Sequence, residues 1–431
     1  MRMKFNKSSQ LLLVSVSSLL MAGLVTACST LTTDFVFVTS SKAAGTNNYG
    51  EIDVFEINQQ SGVMRQIPTS PFPSGGRNPV AEAISADNYN LYVANQDDNS
   101  IVQFVIGNDG KVYPQNTVNT PGIYPLAIAI NGTNLFVVDT YQPLPVCSTG
   151  DPCSGSIGVL PITVGKTSPP SDTLGAPVAN GNLTYMPLCL TGYTYSSATL
   201  TWTCAIPASE THIITPTAVN VLKSGADVFV TAYDATASPN VGYIFGFVVG
   251  TGGGLAPLNN GAPPHNMGTG SQGLGIRPTA VASDPTSSFI FVADSTNALV
   301  VSYSISSGTL TRVGAISTGN QPAAVAVDPA YPFVYVANSL DNTVSAYSMS
   351  SGVLTALGTY ATGEQPVAIG IDPSTNHFLY TANFLGSGIN GTVSGFELDP
   401  TAGTLVNSQN SPYNANAQPT AVAAIPHQSN P

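Results

Sequence analysis

The sequence predicts an all-β chain wound into a seven-bladed β-propeller, each blade a four-stranded antiparallel sheet. Three observations carry this. A run of the type FVYVAN occurs seven times, starting at Phe35, Leu91, Leu135, Val228, Phe289, Phe333 and Phe378. Its spacing never falls below 44 residues, and longer intervals read as the same unit carrying insertions; about 40–45 residues is the length of a propeller blade. A second run, with proline in second place, also occurs seven times, at Asn78, Tyr124, Thr215, Arg277, Gln321, Gln365 and Gln418.

The unit is clearest over Gln321 to Gly358, which reads QPAAVAVDPAYP, FVYVANSLDN, TVSAYSMSSG and VLTALG. Apolar residues alternate with period two and turn residues separate the runs, as in successive strands. The proline run is rich in Ala and Gly, so it suits the innermost strand, where blades crowd the axis. Proline cannot donate to a ladder and belongs near the strand's first residue. The first FVYVAN-type run (Phe35) has no proline run before it, and the last proline run (Gln418 to Ile425) has no FVYVAN-type run after it. The C-terminal strand should therefore pair with Phe35–Ser40 and close the ring in the first blade, leaving no terminal edge to aggregate.

Residues 1–27 read as a targeting segment. Arg2, Lys4 and Lys7 precede an apolar run from Leu11 to Leu24, and Val25-Thr26-Ala27-Cys28 follows. This resembles a bacterial lipoprotein signal, implying cleavage before Cys28 and lipidation of that cysteine; an ordinary secretory signal is the alternative. Residues 28–34 would form a short lipidated tether, and 35–431 the propeller. The expected location is the bacterial cell envelope, with the membrane reached through lipid rather than a spanning helix.

Beyond residue 27 eight basic side chains face 23 acidic ones, a formal balance of −15 (8 − 23). Phosphate binding draws on clustered Lys and Arg, so nucleic acid is excluded as a partner. A monomer is expected. The long interval of about 142–210 holds Cys147, Cys153, Cys189 and Cys204. Four cysteines in an exported chain point to two bridges, preferably Cys147–Cys153 and Cys189–Cys204, the second around a hairpin with Tyr193, Tyr195 and Trp202. Their spacing does not resemble a four-thiolate metal site. The insertion reads as a cap or rim over one face. A Gly- and Pro-rich stretch at about 250–275 reads as a flexible loop.

Propellers present their sites at the mouth of the central channel. Residues preceding the innermost strands (Arg77, Tyr124, His212, Arg277, Glu364) and residues ending the second strands (Asp139, Asp234, Asp294) should meet at one mouth. Guanidinium groups there can hold carboxylates or hydroxyls by paired hydrogen bonds, and His212, with Glu210 two residues earlier, can serve as a general base. Against this, Asn or Asp recurs at the end of the second strand at Asn95, Asp139, Asp294, Asn338 and Asn383. A side chain repeated blade after blade is suited to capping turns. Asp284-Pro285, Asp328-Pro329 and Asp372-Pro373, at the far end of the first strand, read as turn formers. No nucleophile elbow, zinc-protease motif, EF-hand or phosphate loop is present. Asp97-Asp98-Asn99 reads as a solvated turn rather than a calcium site. No metal or cofactor is expected; a single Trp and few basic residues argue against a quinone cofactor.

The segments YVAN through DNTVSAYSMSSGVLTALG and TGNQPAAVAVDP resemble the lactonase-like seven-bladed propellers, the group that includes 6-phosphogluconolactonase and the fungal muconate-cyclising enzyme, and also the YVTN-type repeats of surface proteins. The resemblance spans nearly all of 35–426 outside the insertions. It implies His, Arg and Glu groups at the channel, parts open here to Arg77, Arg277, Glu210, His212 and Glu364. Propellers host many unrelated functions. From sequence the favoured reading is a cell-envelope lipoprotein binding a small-molecule or protein ligand at the channel mouth. The alternative is a hydrolase or related isomerase acting on a sugar or carboxylate lactone. A phosphorylated sugar lactone fits poorly, because the chain carries an export signal and no basic cluster.

Overall fold

The computed structural model describes residues 33–41, 48–58, 61–143, 154–165, 172–199, 201–204, 212–268, 275–373, 378–386 and 390–426. Over these the chain forms seven antiparallel sheets around one axis, plus a separate hairpin. The innermost strands are Gln418–Ile425, Pro79–Ile84, Ile123–Asn131, Ile214–Val221, Pro278–Ser283, Pro322–Val327 and Pro366–Ile371, for blades 1 to 7 in that order. Each lies beside the next, and blade 7 returns to blade 1.

Blade 1 is assembled from both ends of the chain. Strand Thr33–Ser41 pairs antiparallel with Gln418–Ile425, Phe35 opposite Ile425 and Ser41 opposite Gln418, so the expected closure is present. The second strands are buried over their centres, and Asn90–Asn95 and Phe333–Asn338 over their whole length. Their side chains alternate between the two neighbouring blades, as successive strand residues must. Leu91 and Val93 pack towards blade 1, whereas Tyr92 and Ala94 pack towards blade 3. Among the described residues this produces seven apolar clusters, one in each gap between adjacent blades. The core is thus a ring of interfaces rather than a central ball.

Turn chemistry follows the sequence. Ser307-Gly308 and Ser351-Gly352 both carry positive φ, at 48° and 77° and at 49° and 79°. That is the pairing of type I′ hairpin turns. Gly352 is also required for space, since a Cβ there would come within 2.4 Å of the Phe289 ring in the neighbouring blade. Asp284 and Asp328 cap their turns: Asp284 accepts the N–H groups of Thr286, Ser288 and Phe289, and Asp328 those of Ala330 and Tyr331.

The two insertions contain more regular structure than their composition indicates. Within 142–210, Ser156–Thr163 is the third strand of blade 3, with Thr173–Leu174 and Met186–Pro187 pairing outside it. The true insertion is the hairpin Tyr193–Ser196/Thr201–Cys204, joined by a Cys189–Cys204 disulfide and carrying the Tyr195–Trp202 ring contact. Its Tyr193 and Trp202 pack on Gly261, at the outer edge of blade 4. Cys147 and Cys153 lie outside the described residues. Within 250–275, Leu255–Pro257 and His265–Gly268 pair with Val241–Val249 as the outer strand of blade 4, so much of this stretch is blade rather than loop. The two segments split the outer strand because a turn with Asn259 and Asn260 at positive φ interrupts it. The signal segment, Cys28 and Glu210 also lie outside the described residues. Among the described residues no helix is long and apolar enough to cross a membrane.

Candidate functional site

One mouth of the channel lies where the innermost strands begin and the second strands end. Its geometry comes from a defect repeated in every blade. Pro79 faces Asn95, but Ala81 faces Ala94, leaving Val80 as a one-residue bulge. The same slip follows the proline in the other six blades, at Leu126, Thr217, Thr279, Ala323, Val367 and Thr420. Proline cannot continue the ladder, and the bulge bends the strand and re-aims what precedes it. Two bulged threonines also tie blades together: Thr420 donates to the Pro79 carbonyl at 2.8 Å, and Thr279 to that of Pro322 at 2.6 Å.

His212 sits just before the innermost strand of blade 4. Its Nδ1 lies 2.5 Å from Oδ2 of Asp234, at the end of strand Asp227–Asp234. The imidazole is half exposed, while the Asp234 side chain is 2% exposed. The other Asp234 oxygen accepts the Thr236 hydroxyl at 2.6 Å and the Thr236 N–H at 2.9 Å. Burial pushes this carboxyl up, but the Thr236 hydroxyl and N–H, and then His212, outweigh it and hold it below its ordinary value. Asp234 is thus an ionised anchor that orients the ring.

Arg277, exposed at the start of blade 5, lays its guanidinium 5.1 Å from the centre of the Tyr233 ring. Tyr233 and Asp234 are consecutive. Asp234 belongs to the face that packs on blade 3, with Val228 and Val230, and Tyr233 to the face that packs on blade 5, with Phe229. His212 and Arg277 therefore engage opposite faces of one strand at the same end. In blade 3, Tyr124 holds a positive φ of 59° and meets Tyr141 edge to face at 6.1 Å, both exposed.

Most of the remaining candidates are occupied by the rim itself, Arg77 and Asp294 most fully. Arg77 binds Asp98 through its side chain at 2.6 and 2.7 Å and through its own N–H at 2.7 Å. This pair holds the guanidinium above its ordinary pKa. Asp294 accepts the N–H groups of Arg277 and Thr296 and an Asn297 amide hydrogen. Asn338 accepts the Gly319 N–H, and Asn95 binds Ser74. Glu364 is exposed, and its backbone carbonyl accepts the Leu385 N–H. Turn capping accounts for this recurring Asn/Asp position. Asp139 caps too, accepting the Gly122 N–H at 2.8 Å, but its Oδ1 is buried without a hydrogen-bond partner. Burial pushes its pKa up to about 7 against the hydrogen bonds from Gly122 and Thr120. Among the described residues no group of His, Cys, Asp and Glu is arranged to hold a metal ion.

Sequence reasoning missed Glu82. It is the one acidic or basic side chain in the seven innermost strands, a signal visible in the run NPVAEAI. Its carboxyl accepts the Thr39 hydroxyl and lies against the backbone of Ala423. It therefore touches both strands that close the ring. Its Oε1 is shut off from solvent without a partner, and burial raises its pKa to about 8.

Solved structures share this architecture at low identity. A periplasmic gluconolactonase of Pseudomonas aeruginosa, PpgL, matches at 15% identity and a TM-score of 0.65, over 92% of this chain and 100% of its own. A candidate 6-phosphogluconolactonase of Bacteroides fragilis matches at 17% and 0.61, over 92% and 99%; one from Bacteroides uniformis matches at 17% and 0.63, over 91% and 99%. At such identities they establish the fold alone. Comparison with curated proteins finds no match. The family model described as "Lactonase, 7-bladed beta-propeller" matches residues 46–143 and 271–424, more than half of the chain. On that match, the protein belongs to the lactonase family of seven-bladed β-propellers.

Proposed function

We propose that this protein opens the ring of a small lactone, the cyclic ester of a sugar acid or hydroxy acid, at the mouth formed by the starts of the innermost strands. The observation that carries the reading is the half-exposed His212 held through Nδ1 by the buried, hydrogen-bonded Asp234. Family membership and the lactonase-type folds of its structural neighbours support it.

In this reading the other ring nitrogen of His212 takes a proton from water as the water oxygen adds to the lactone carbonyl. Arg277 stabilises the oxyanion. Collapse breaks the acyl carbon–oxygen bond, and the imidazolium returns the proton to the departing ring oxygen, so lactone and water give one hydroxy acid. Asp234 stays ionised and fixes the tautomer. Tyr124 and Tyr141 offer aromatic faces to the ring carbons. Arg77, spent on Asp98, takes no part. The acidic balance of the chain favours a lactone without phosphate.

The test is a panel of sugar and aliphatic lactones followed by acid release. His212→Gln and Asp234→Asn should lower kcat/KM by about 10²–10⁴-fold. Turnover at the uncatalysed rate, or unchanged turnover in both variants, defeats the reading.

A second reading, a binding module without catalysis, is favoured by how many rim side chains are committed to turn backbone. Tight lactone or sugar-acid binding without turnover would select it. For location, we infer an envelope lipoprotein anchored through Cys28. Ser29 to Asp34 would then tether the propeller within roughly 20 Å of the membrane, at about 3.3 Å per extended residue. Cys28→Ala should release the protein from membranes.

A further inference from the structure

The innermost strands end at the opposite mouth, and there the channel opens into a cavity of about 340 Å³. This lies within the size range of small-molecule sites. Ile84, Ile130, Val221 and Val327, from four blades, form its wall. Two groups set its charge. Lys223 stands exposed on the rim and makes no ion pair among the described residues. Asp284 is the lining's one carboxylate, and its oxygens are turned into their own loop, accepting the N–H groups of Thr286, Ser288 and Phe289 and the Thr286 hydroxyl. The cavity therefore presents an aliphatic wall with one unneutralised ammonium at its edge, in a chain with few basic residues.

We infer that this mouth is a second binding site, for a small amphipathic carboxylate whose aliphatic part fills the wall of Ile84, Ile130, Val221 and Val327 while its anionic head pairs with Lys223. The site requires a monoanion with an apolar body. A polyanion would find one cation only, and a neutral hydrophobe would leave Lys223 unused. Glu82, two residues above Ile84 on the same strand, adds no charge at neutral pH, because burial keeps its carboxyl protonated. The site is separate from the His212 mouth and does not depend on the lactone reading.

The experiment is calorimetric titration of the mature protein with hexanoate and with neutral 1-hexanol. For ligands of this size, Kd for hexanoate should be on the order of 0.1–1 mM. Lys223→Gln should weaken hexanoate about tenfold, the worth of one charge-assisted contact, and leave hexanol unchanged. Ala86→Trp, at an exposed rim position, should fill the cavity and abolish both. His212→Gln should alter neither, which separates this site from the lactone mouth. Absence of hexanoate binding to the unmodified protein, or binding unaffected by both Lys223→Gln and Ala86→Trp in variants that melt normally, overturns the inference.

Discussion

Replacing Glu82 with glutamine keeps the shape of the side chain and removes its ability to ionise. In the folded protein the carboxyl has a pKa of about 8, against 4.5 for an unburied glutamate. A folded pKa above the unfolded one means that stability is fullest below about pH 4.5 and is lost as pH rises towards 8. Between those limits the folded state holds a proton that the unfolded chain has released. At about 1.4 kcal/mol per pKa unit, the loss relative to pH 4 is roughly 3 kcal/mol at pH 7 and approaches about 5 above pH 8. Glutamine makes the same contacts without this loss. Wild type and Glu82→Gln should therefore agree within about 1 kcal/mol at pH 5 in urea unfolding. The variant should be more stable by roughly 3–5 kcal/mol at pH 8.5. For a chain of this length the unfolding entropy is about 0.8 kcal/mol per kelvin, so its Tm should rise by roughly 4–6 °C at that pH. A difference that stays constant from pH 5 to 8.5 would show that Glu82 is not protonated in the fold, and the reasoning would fail.

Asp139→Asn should behave similarly on a lower window. Its folded pKa of about 7 lies above the ordinary 3.8, so native stability falls from about pH 4 to pH 7 and the variant should be flatter over that range in calorimetry. Gly352→Ala should destabilise by several kcal/mol, because it combines a positive φ with a Cβ 2.4 Å from Phe289; Ala at Gly132, where a Cβ meets nothing within 4 Å, should cost only about 1 kcal/mol. Reducing Cys189–Cys204, which closes a 15-residue separation, should lower stability by about 3 kcal/mol and loosen the Tyr193–Trp202 hairpin before the blades in hydrogen exchange. Arg77→Met should leave the urea-unfolding midpoint essentially where it is in the parent protein, since its ion pair with Asp98 is exposed and screened by solvent; a clear drop in the midpoint would refute this.

Most of the fold was legible because a propeller repeats itself. Seven proline runs and seven FVYVAN-type runs mark the two inner strands of every blade, and their order along the chain reveals that blade 1 is shared. The outer strands were harder to read. In blade 4 Leu255–Pro257 and His265–Gly268 are short and separated by a Pro- and Gly-containing turn, so local composition spoke for a loop while pairing with Val241–Val249 made them strand. The site was legible only in part. Which residues reach the mouth follows from the repeat, and so does the capping by Asp294 and Asn338. That Asp234 orients His212 while Asp98 consumes Arg77 depends on side-chain partners that periodicity does not encode. Glu82 was visible as a charge in an Ala-rich run, but its importance comes from the two strands it touches, which lie at opposite ends of the chain.

The pairing of Thr33–Ser41 with Gln418–Ile425 makes the first sheet wait for the last. During synthesis six blades can gather in sequence, while the earliest strands remain without the inner neighbour they need. The barrier to completion is thus set by chain order, and an unfinished ring is a natural state for as long as the C-terminal segment has not been delivered. Final locking of the ring therefore falls to the C-terminal strand Gln418–Ile425, the last of the inner strands to be made.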